Sequence, residues 1–289
     1  MQKIVFKRIK KLDSEWVFSK VKNFIAEDAP FGDLTTQAII PDTVSSRAQM
    51  VANDSFTFCG EQFIPFCFPD CCTVDLFVKD GSIIFPETIL AEITGPASTI
   101  LTYERVVLNL SQRLCGISTE TYKYSKLKVP ENFKIMDTRK TTPGLRLFEK
   151  YAVSVGGCWN HRLDLSSAIL VKDNHIQAAG SIKKAIQSIR EKYNNKHPIE
   201  LEVDNLAQLR VGLDLEVDGF LLDNMNPQTV KKAVAIIRSA KDGDKVFIEA
   251  SGGINYSTLE QFAWTGIDAV SMSSITSNAK PVDIKMEFI

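Results

Sequence analysis

Six short, mostly apolar runs constrain this fold more than any other feature. They are spread through the second half of the chain, and each is followed by a helical pattern. They are Ile135-Met136, Ala168–Val171, Ile199–Val203, Gly219–Leu222, Val246–Ala250 and Ala269–Met272. Strands without regular polar alternation are covered on both faces, and helices between them make their pairing parallel. Helix punctuation fits this rhythm. Thr141 or Thr142 is placed to cap a helix with Pro143 in its first turn and Gly156 past its end. Asn226 precedes Pro227 in the same way, and Ser257 opens another helix. Polar residues gather at or just after the strand ends, as Asp137-Arg139-Lys140, Lys172-Asp173, Glu202-Asp204, Asp223-Asn224, Glu249-Ser251 and Ser271-Ser273. In a parallel barrel those ends form one rim, where ligands bind. Since a closed barrel needs eight strands, the expectation is an α/β fold with an incomplete, irregular barrel of about six strands. An open doubly wound sheet is the alternative, but no GxGxxG follows a strand.

The first third of the chain has a different pattern. Trp16, Val17, Val21, Phe24 and Ile25 share one helical face within 14–26, with Ser14 as its expected cap. The loop EDAPFGDLTT follows, with Asp33 or Thr35 placed to cap what comes next. From Arg47 to Gly95, short apolar and aromatic strands broken by Gly, Pro and Asp predict a β-rich unit with Phe63, Phe66, Cys67 and Phe68 in its core. An amphipathic helix over 99–126, broken or bent near Gly116, is expected to open the second domain.

Composition mainly excludes. At 289 residues the chain is long enough for one large domain and a smaller one. No uninterrupted apolar run reaches the roughly 18 residues of a membrane helix. The N-terminus has Lys and Arg without the apolar stretch of a secretion signal, so a cytoplasmic location is expected. The six cysteines form no CxxC pair and have no histidine at metal-ligand spacing, which favours free thiols. A net charge of -1 with no basic block speaks against nucleic acid.

Against that balanced background, residues 137–175 collect Arg139, Lys140, His161, Arg162 and Lys172 on turns and strand ends. Cations brought together in a cleft repel and lose hydration unless an anion joins them. A solvated basic face beside a helix is the plainer alternative. Glu202 and Asp223 end successive strands facing these cations. Two carboxylates there suit Mg²⁺ shared with phosphate oxygens, unless they simply pair with Lys172 or Lys140. Ser251-Gly252-Gly253, between a strand and a helix, is either a phosphate-binding turn or an ordinary β–α turn.

The blocks EDAPFGDLTT (27–36), YERVVLNLSQRLCGIST (103–119), DTRKTTPGLRLFEKYAV (137–153), GGCWNHR (156–162), KDNH (172–175), ELEVDNLAQL (200–209), GFLLDNM (219–225) and EASGGI (249–254) span nearly the whole chain. In that order they resemble the quinolinate phosphoribosyltransferase family. The resemblance implies an N-terminal α/β sandwich over 1–100, a barrel over 101–275, and a C-terminal strand in 276–289 that returns to the sandwich. It also implies transfer of phosphoribosyl from phosphoribosyl pyrophosphate to quinolinate with decarboxylation, on the route to NAD. Arg139, His161, Arg162 and Lys172 would hold quinolinate, with Arg105 lent by the second subunit of a homodimer. Lys140 would lie near the pyrophosphate. Glu202 and Asp223 would hold ribose and Mg²⁺, and Ser251, Gly252, Gly253 and Ser273 would lie around the 5-phosphate.

Three positions depart from the family pattern. Asp164 follows NHR-Leu where glycine is usual, Ser273 replaces a glycine, and Ser277 stands where histidine is common. The tail SSITSNAKPVDIKMEF is also similar to a paralogue encoded with molybdenum-transport genes, which acts on another aromatic acid. That group usually lacks complete DTRKTTPGL and KDNH blocks, and this chain has both. A non-catalytic ligand-binding relative is the third reading, resting on Ser273 alone.

Overall fold

The structure, a computed structural model, describes residues 2–289. The chain divides into two units that interleave along the sequence. One comprises residues up to Lys7, 126–141 and 158–274, and the other 8–125, 142–157 and 275–289. None of the described helices is long and apolar enough to cross a membrane.

The second of these units begins with α1 (Ser14–Asp28), whose buried Val17 and Val21 keep the expected face. Its cap is Asp13 rather than Ser14, because the Asp13 carboxylate accepts the Trp16 N–H at 2.8 Å. Asp33 caps the short α2 (Leu34–Ile39) by accepting from Thr35 and Thr36. Strands β1 (Ser45–Ala52), β2 (Phe56–Thr57), β3 (Thr73–Leu76), β4 (Ile83–Ile84) and β5 (Ile89–Pro96) follow. β1 lies between β5 and the C-terminal strand Ile284–Phe288, antiparallel to both, so the chain's end does return to this sheet. Phe63, Cys67 and Phe68 are buried as expected, while Phe66 is turned outward.

Helix α3 (Ala97–Ser125) corrects two expectations. It belongs with this unit rather than with the barrel, because it packs on α1, β5 and the C-terminal strand. The boundary expected at residue 100 therefore lies elsewhere. The helix also runs unbroken through Gly116. A Cβ there would stand 2.1 Å from the Lys280 carbonyl oxygen, so the glycine permits a close approach of the C-terminal segment. Glu149, fully buried, takes Arg113 Nη2 at 2.9 Å and both the N–H and hydroxyl of Thr142. Thr142 is thus held by a side chain instead of capping a helix, and the helix after it begins only at Arg146.

In the other unit the six apolar runs form β6 (Lys134–Met136), β7 (Ile169–Val171), β8 (Ile199–Val203), β9 (Gly219–Asp223), β10 (Phe247–Ser251) and β11 (Ala269–Ser271). They make one parallel sheet in the order β6-β11-β10-β9-β8-β7. That is the incomplete six-stranded barrel expected from the pattern. Phe6, near the chain start, packs with Met136 and Ala269, and Ile4, Trp159 and Phe247 close around them. Asn226 caps its helix as expected, accepting from Thr229 at 2.9 Å. Before the helix Leu259–Ala263, Asn255 takes the N–H groups of Ser257 and Thr258, so the turn residue is Asn255 rather than Ser257. All six cysteines are free, with Cys71 exposed, Cys72 half-buried and the rest buried.

Candidate active site

At the carboxyl ends of the six barrel strands lies a cavity of about 590 Å³. Arg139 and Lys140 reach it from the loop after β6, Lys172 from the end of β7, Glu202 from β8 and Asp223 from β9. Ser251 ends β10 and Gly252 and Gly253 follow it, Ser273 follows β11, and His161 and Arg162 come from the segment before β7. Every residue of the expected site except Arg105 lies on this one wall. Arg105 is on α3 of the other unit, with an exposed side chain 3.8 Å from Glu104.

The two arginines of the cationic side are only partly satisfied. Arg139 has a buried Nε with no hydrogen-bond partner among the described residues. Arg162 gives Nη1 to the Ala168 carbonyl at 3.0 Å. Burial, and then the charge of Arg139, lower the pKa of its guanidinium. Two guanidiniums side by side in a half-dry cleft call for a carboxylate or phosphate, which each can hold bidentately.

The acidic side is arranged differently. Lys172 Nζ is hydrogen-bonded to Glu202. The Glu202 carboxyl nonetheless titrates above its ordinary range, because burial outweighs Lys172 and the charge of Asp223 adds to burial. Asp223 is also raised by burial, with Lys172 and Lys140 pulling it down and Asp204 pushing it up. Two carboxyls still raised beside a lysine have room for more positive charge. One or two carboxylates beside an open cavity suit Mg²⁺, which takes its other oxygens from substrate and water. On this test the donor set fits the ion.

Asn224 was placed on the rim from the sequence, but without a role in the site. It adopts a left-handed φ of 52°, gives Nδ2 to Asp223 at 2.7 Å and gives its own N–H to the Ser251 carbonyl at 2.9 Å. The Asn224 Oδ1 also explains Gly252, where a Cβ would come within 2.2 Å of it and φ is 85°. Gly253 has open space at its Cβ position and lines the cavity together with Gly252. Asn224 thus ties the acidic strand end to the SGG turn.

Beneath the cationic side three ionisable groups are buried together. His161 Nε2 lies 3.4 Å from Glu249 Oε2 and 3.8 Å from Glu200 Oε2. Burial, reinforced by Glu249, lifts Glu200 to about 8 despite His161 and Arg162. Burial lowers the His161 pKa, but Glu249, Glu200 and Asp137 together raise it more. The signal for these acids was present in the sequence as single glutamates interrupting the apolar runs IELEV and FIEA.

The fold and cavity define an α/β-barrel protein that holds small polyanions at the carboxyl rim of its strands. Comparison with known proteins narrows this class. Residues 33–115 match the model of the quinolinate phosphoribosyl transferase N-terminal domain and residues 117–287 that of its C-terminal domain. The chain therefore belongs to the quinolinate phosphoribosyl transferase family. It is 39% identical over 270 residues to a Bacillus subtilis protein named probable nicotinate-nucleotide pyrophosphorylase (carboxylating), covering 92% of this chain and 91% of that one. The human nicotinate-nucleotide pyrophosphorylase (carboxylating) is 33% identical, over 92% and 90% of the two chains. Among solved structures, nicotinate-nucleotide pyrophosphorylase from Francisella tularensis superposes with a TM-score of 0.85 at 32% identity, covering 99% of this chain and all of that one. NadC from Streptococcus pyogenes gives 0.87 at 35% identity, over 97% of this chain and all of that one.

Proposed function

We propose that this protein transfers the phosphoribosyl group of phosphoribosyl pyrophosphate to quinolinate, releasing pyrophosphate and CO₂ and leaving nicotinate mononucleotide, in NAD biosynthesis. The observation that carries this reading is a single cavity with two arginines, one with a buried unpartnered Nε, on one side and two carboxylates with a glycine turn on the other. Arg139, Arg162 and Lys172 would take the adjacent carboxylates of quinolinate. Ser251, Gly252, Gly253 and Ser273 would surround the 5-phosphate, and Lys140 the pyrophosphate. Glu202 and Asp223 would hold ribose hydroxyls and Mg²⁺, an ion that supplies positive charge to the leaving pyrophosphate.

Held this way, the pyridine nitrogen faces the anomeric carbon. Its lone pair forms the N–C bond while the bond to the pyrophosphate oxygen breaks. The charge of the ring nitrogen, now cationic, stabilises the electron pair left on the adjacent carbon when that carboxylate departs as CO₂, and that carbon then takes a proton from water. Positioning and fixed charge do this work, and no general base is needed. The exposed Arg105 supports a homodimer in which each subunit lends this residue to its partner's site. A cytoplasmic location fits substrates of this kind.

The test is direct. Protein mixed with quinolinate, phosphoribosyl pyrophosphate and Mg²⁺ should release pyrophosphate and CO₂ in equal amounts, and EDTA should stop both. Pyrophosphate release that ignores quinolinate would refute the reading.

A further inference from the structure

His161 lines the cavity, yet both of its ring nitrogens are directed at the protein. Nδ1 accepts the backbone N–H of Arg162 at 2.9 Å. Nε2 faces the carboxylates of Glu249 and Glu200. Phe6 lies over the ring, with centroids 4.8 Å apart. The main chain is pinned as well, since the His161 N–H and the Asn160 amide both donate to the fully buried Asp137 at 2.8 Å. Asn160 in turn bridges to Lys7 of the N-terminal segment.

These contacts fix the chemistry of the ring. A nitrogen that accepts a backbone N–H keeps its lone pair there, so the ring hydrogen sits on the other nitrogen. His161 therefore carries Nε2–H, aimed between two acids. That arrangement also excludes a metal at the His161-Glu200-Glu249 cluster. A ligating histidine offers a bare nitrogen and donates its other N–H, the reverse of what is seen. Nor does it suit a substrate carboxylate, which would have to displace either the Arg162 N–H or the buried glutamates.

We infer that His161 is a positioning residue that makes no hydrogen bond to substrate: anchored from below by Glu249, Glu200 and Phe6, it holds the Arg162 backbone so that the guanidinium meets the anionic substrate. This assignment rests on quinolinate being that substrate. It gives the buried glutamates a part in the site that the reaction itself does not require.

Nitrogen-15 NMR of imidazole-labelled protein tests it without altering the site. Among the three histidines only His161 is buried, which separates its signals from those of His175 and His197. The expected result at neutral pH is a hydrogen on Nε2 and a bare, hydrogen-bonded Nδ1. Saturating quinolinate should move the backbone amides of Arg139 and Arg162 and leave the His161 Nε2 signal in place. A hydrogen on Nδ1 in the free protein overturns the inference, as does an Nε2 signal that shifts with quinolinate. If quinolinate moves no resonance, the substrate reading fails, and the free-protein tautomer still decides this one. Calorimetry supplies a second arm. His161→Ala should weaken quinolinate binding more than tenfold in the natural background and less than twofold in Arg162→Ala, since its effect passes through that residue. Equal losses in both backgrounds would show independent contact with substrate and overturn the inference.

Discussion

Replacing Arg139 by alanine separates the roles of charge and architecture in this cavity. Arg139 has a buried Nε without a partner among the described residues, and its charge depresses the guanidinium of Arg162 beside it. Truncating one member of a desolvated charge pair costs about 2–5 kcal/mol. Because this cavity is open to solvent, the lower half of that range applies, and kcat/KM for quinolinate should fall by about 30- to 300-fold at roughly 1.4 kcal/mol per factor of ten. The KM for phosphoribosyl pyrophosphate should change less than about threefold, since its expected ligands lie across the cavity. Stability should move the other way. Removing a like charge beside Arg162 takes away a repulsion, so the melting temperature without substrates should stay level or rise. Steady-state pyrophosphate release across a quinolinate series, paired with a calorimetric melt, gives both numbers. A fall in kcat/KM below tenfold removes Arg139 from the site. A melting temperature several degrees lower would mean that Arg139 holds the fold together, and the reasoning from uncompensated charge would be wrong.

Other perturbations test neighbouring parts of the argument. The Glu200 carboxyl titrates near 8, above its unfolded range, so the folded protein binds more protons than the unfolded one between about pH 4.5 and 8. Its contribution is complete below that window and is lost as pH rises through it, with a limiting slope of about 1.4 kcal/mol per pH unit. Chemical denaturation at several pH values should show stability declining across the window, and Glu200→Gln should flatten the decline. An unchanged slope would show that Glu200 ionises normally. Gly252→Ala places a methyl 2.2 Å from Asn224 Oδ1 at a φ of 85° and should raise the KM for phosphoribosyl pyrophosphate at least tenfold. A natural KM would mean that the turn does not contact phosphate. Gly116→Ala drives a methyl to 2.1 Å from the Lys280 carbonyl and should cost about 1–3 kcal/mol in a denaturant melt. No loss would show that the C-terminal segment moves aside freely.

The barrel was legible in the sequence because doubly covered strands have an unmistakable composition, and six apolar runs became six parallel strands. The rim was legible for a related reason. Once strand ends are known, polar residues just beyond them are brought together whatever their separation along the chain, as Arg139 and Asp223 were. What the pattern did not carry was anything decided by a distant partner. Gly116 looked like a helix break, but its reason is the Lys280 carbonyl, over 160 residues later. Thr142 looked like a cap until buried Glu149 took both its N–H and its hydroxyl. The unit boundary moved because α3 carries its apolar face toward elements on both sides of it in sequence. His161 was counted with the cations from its neighbours in sequence, whereas its surroundings in space are carboxylates.

That last contrast bears on how such a cavity is held in shape. A pocket of cations meant for a twice-charged acid tends to spring apart, and flexible side chains alone would let it. Here the opposing groups sit partly in the cavity, at Glu202, and partly under its floor. Glu200 and Glu249 are too deep to reach a ligand, so they do not compete with it for the arginines. Glu200 is nevertheless among the groups that raise the pKa of Arg162, against the larger lowering by burial and by Arg139. Glu202, on the cavity surface, acts on Arg162 in the same direction with a smaller effect. Placing Glu200 and Glu249 behind an imidazole leaves the Arg162 guanidinium on the cavity side, where a ligand can meet it.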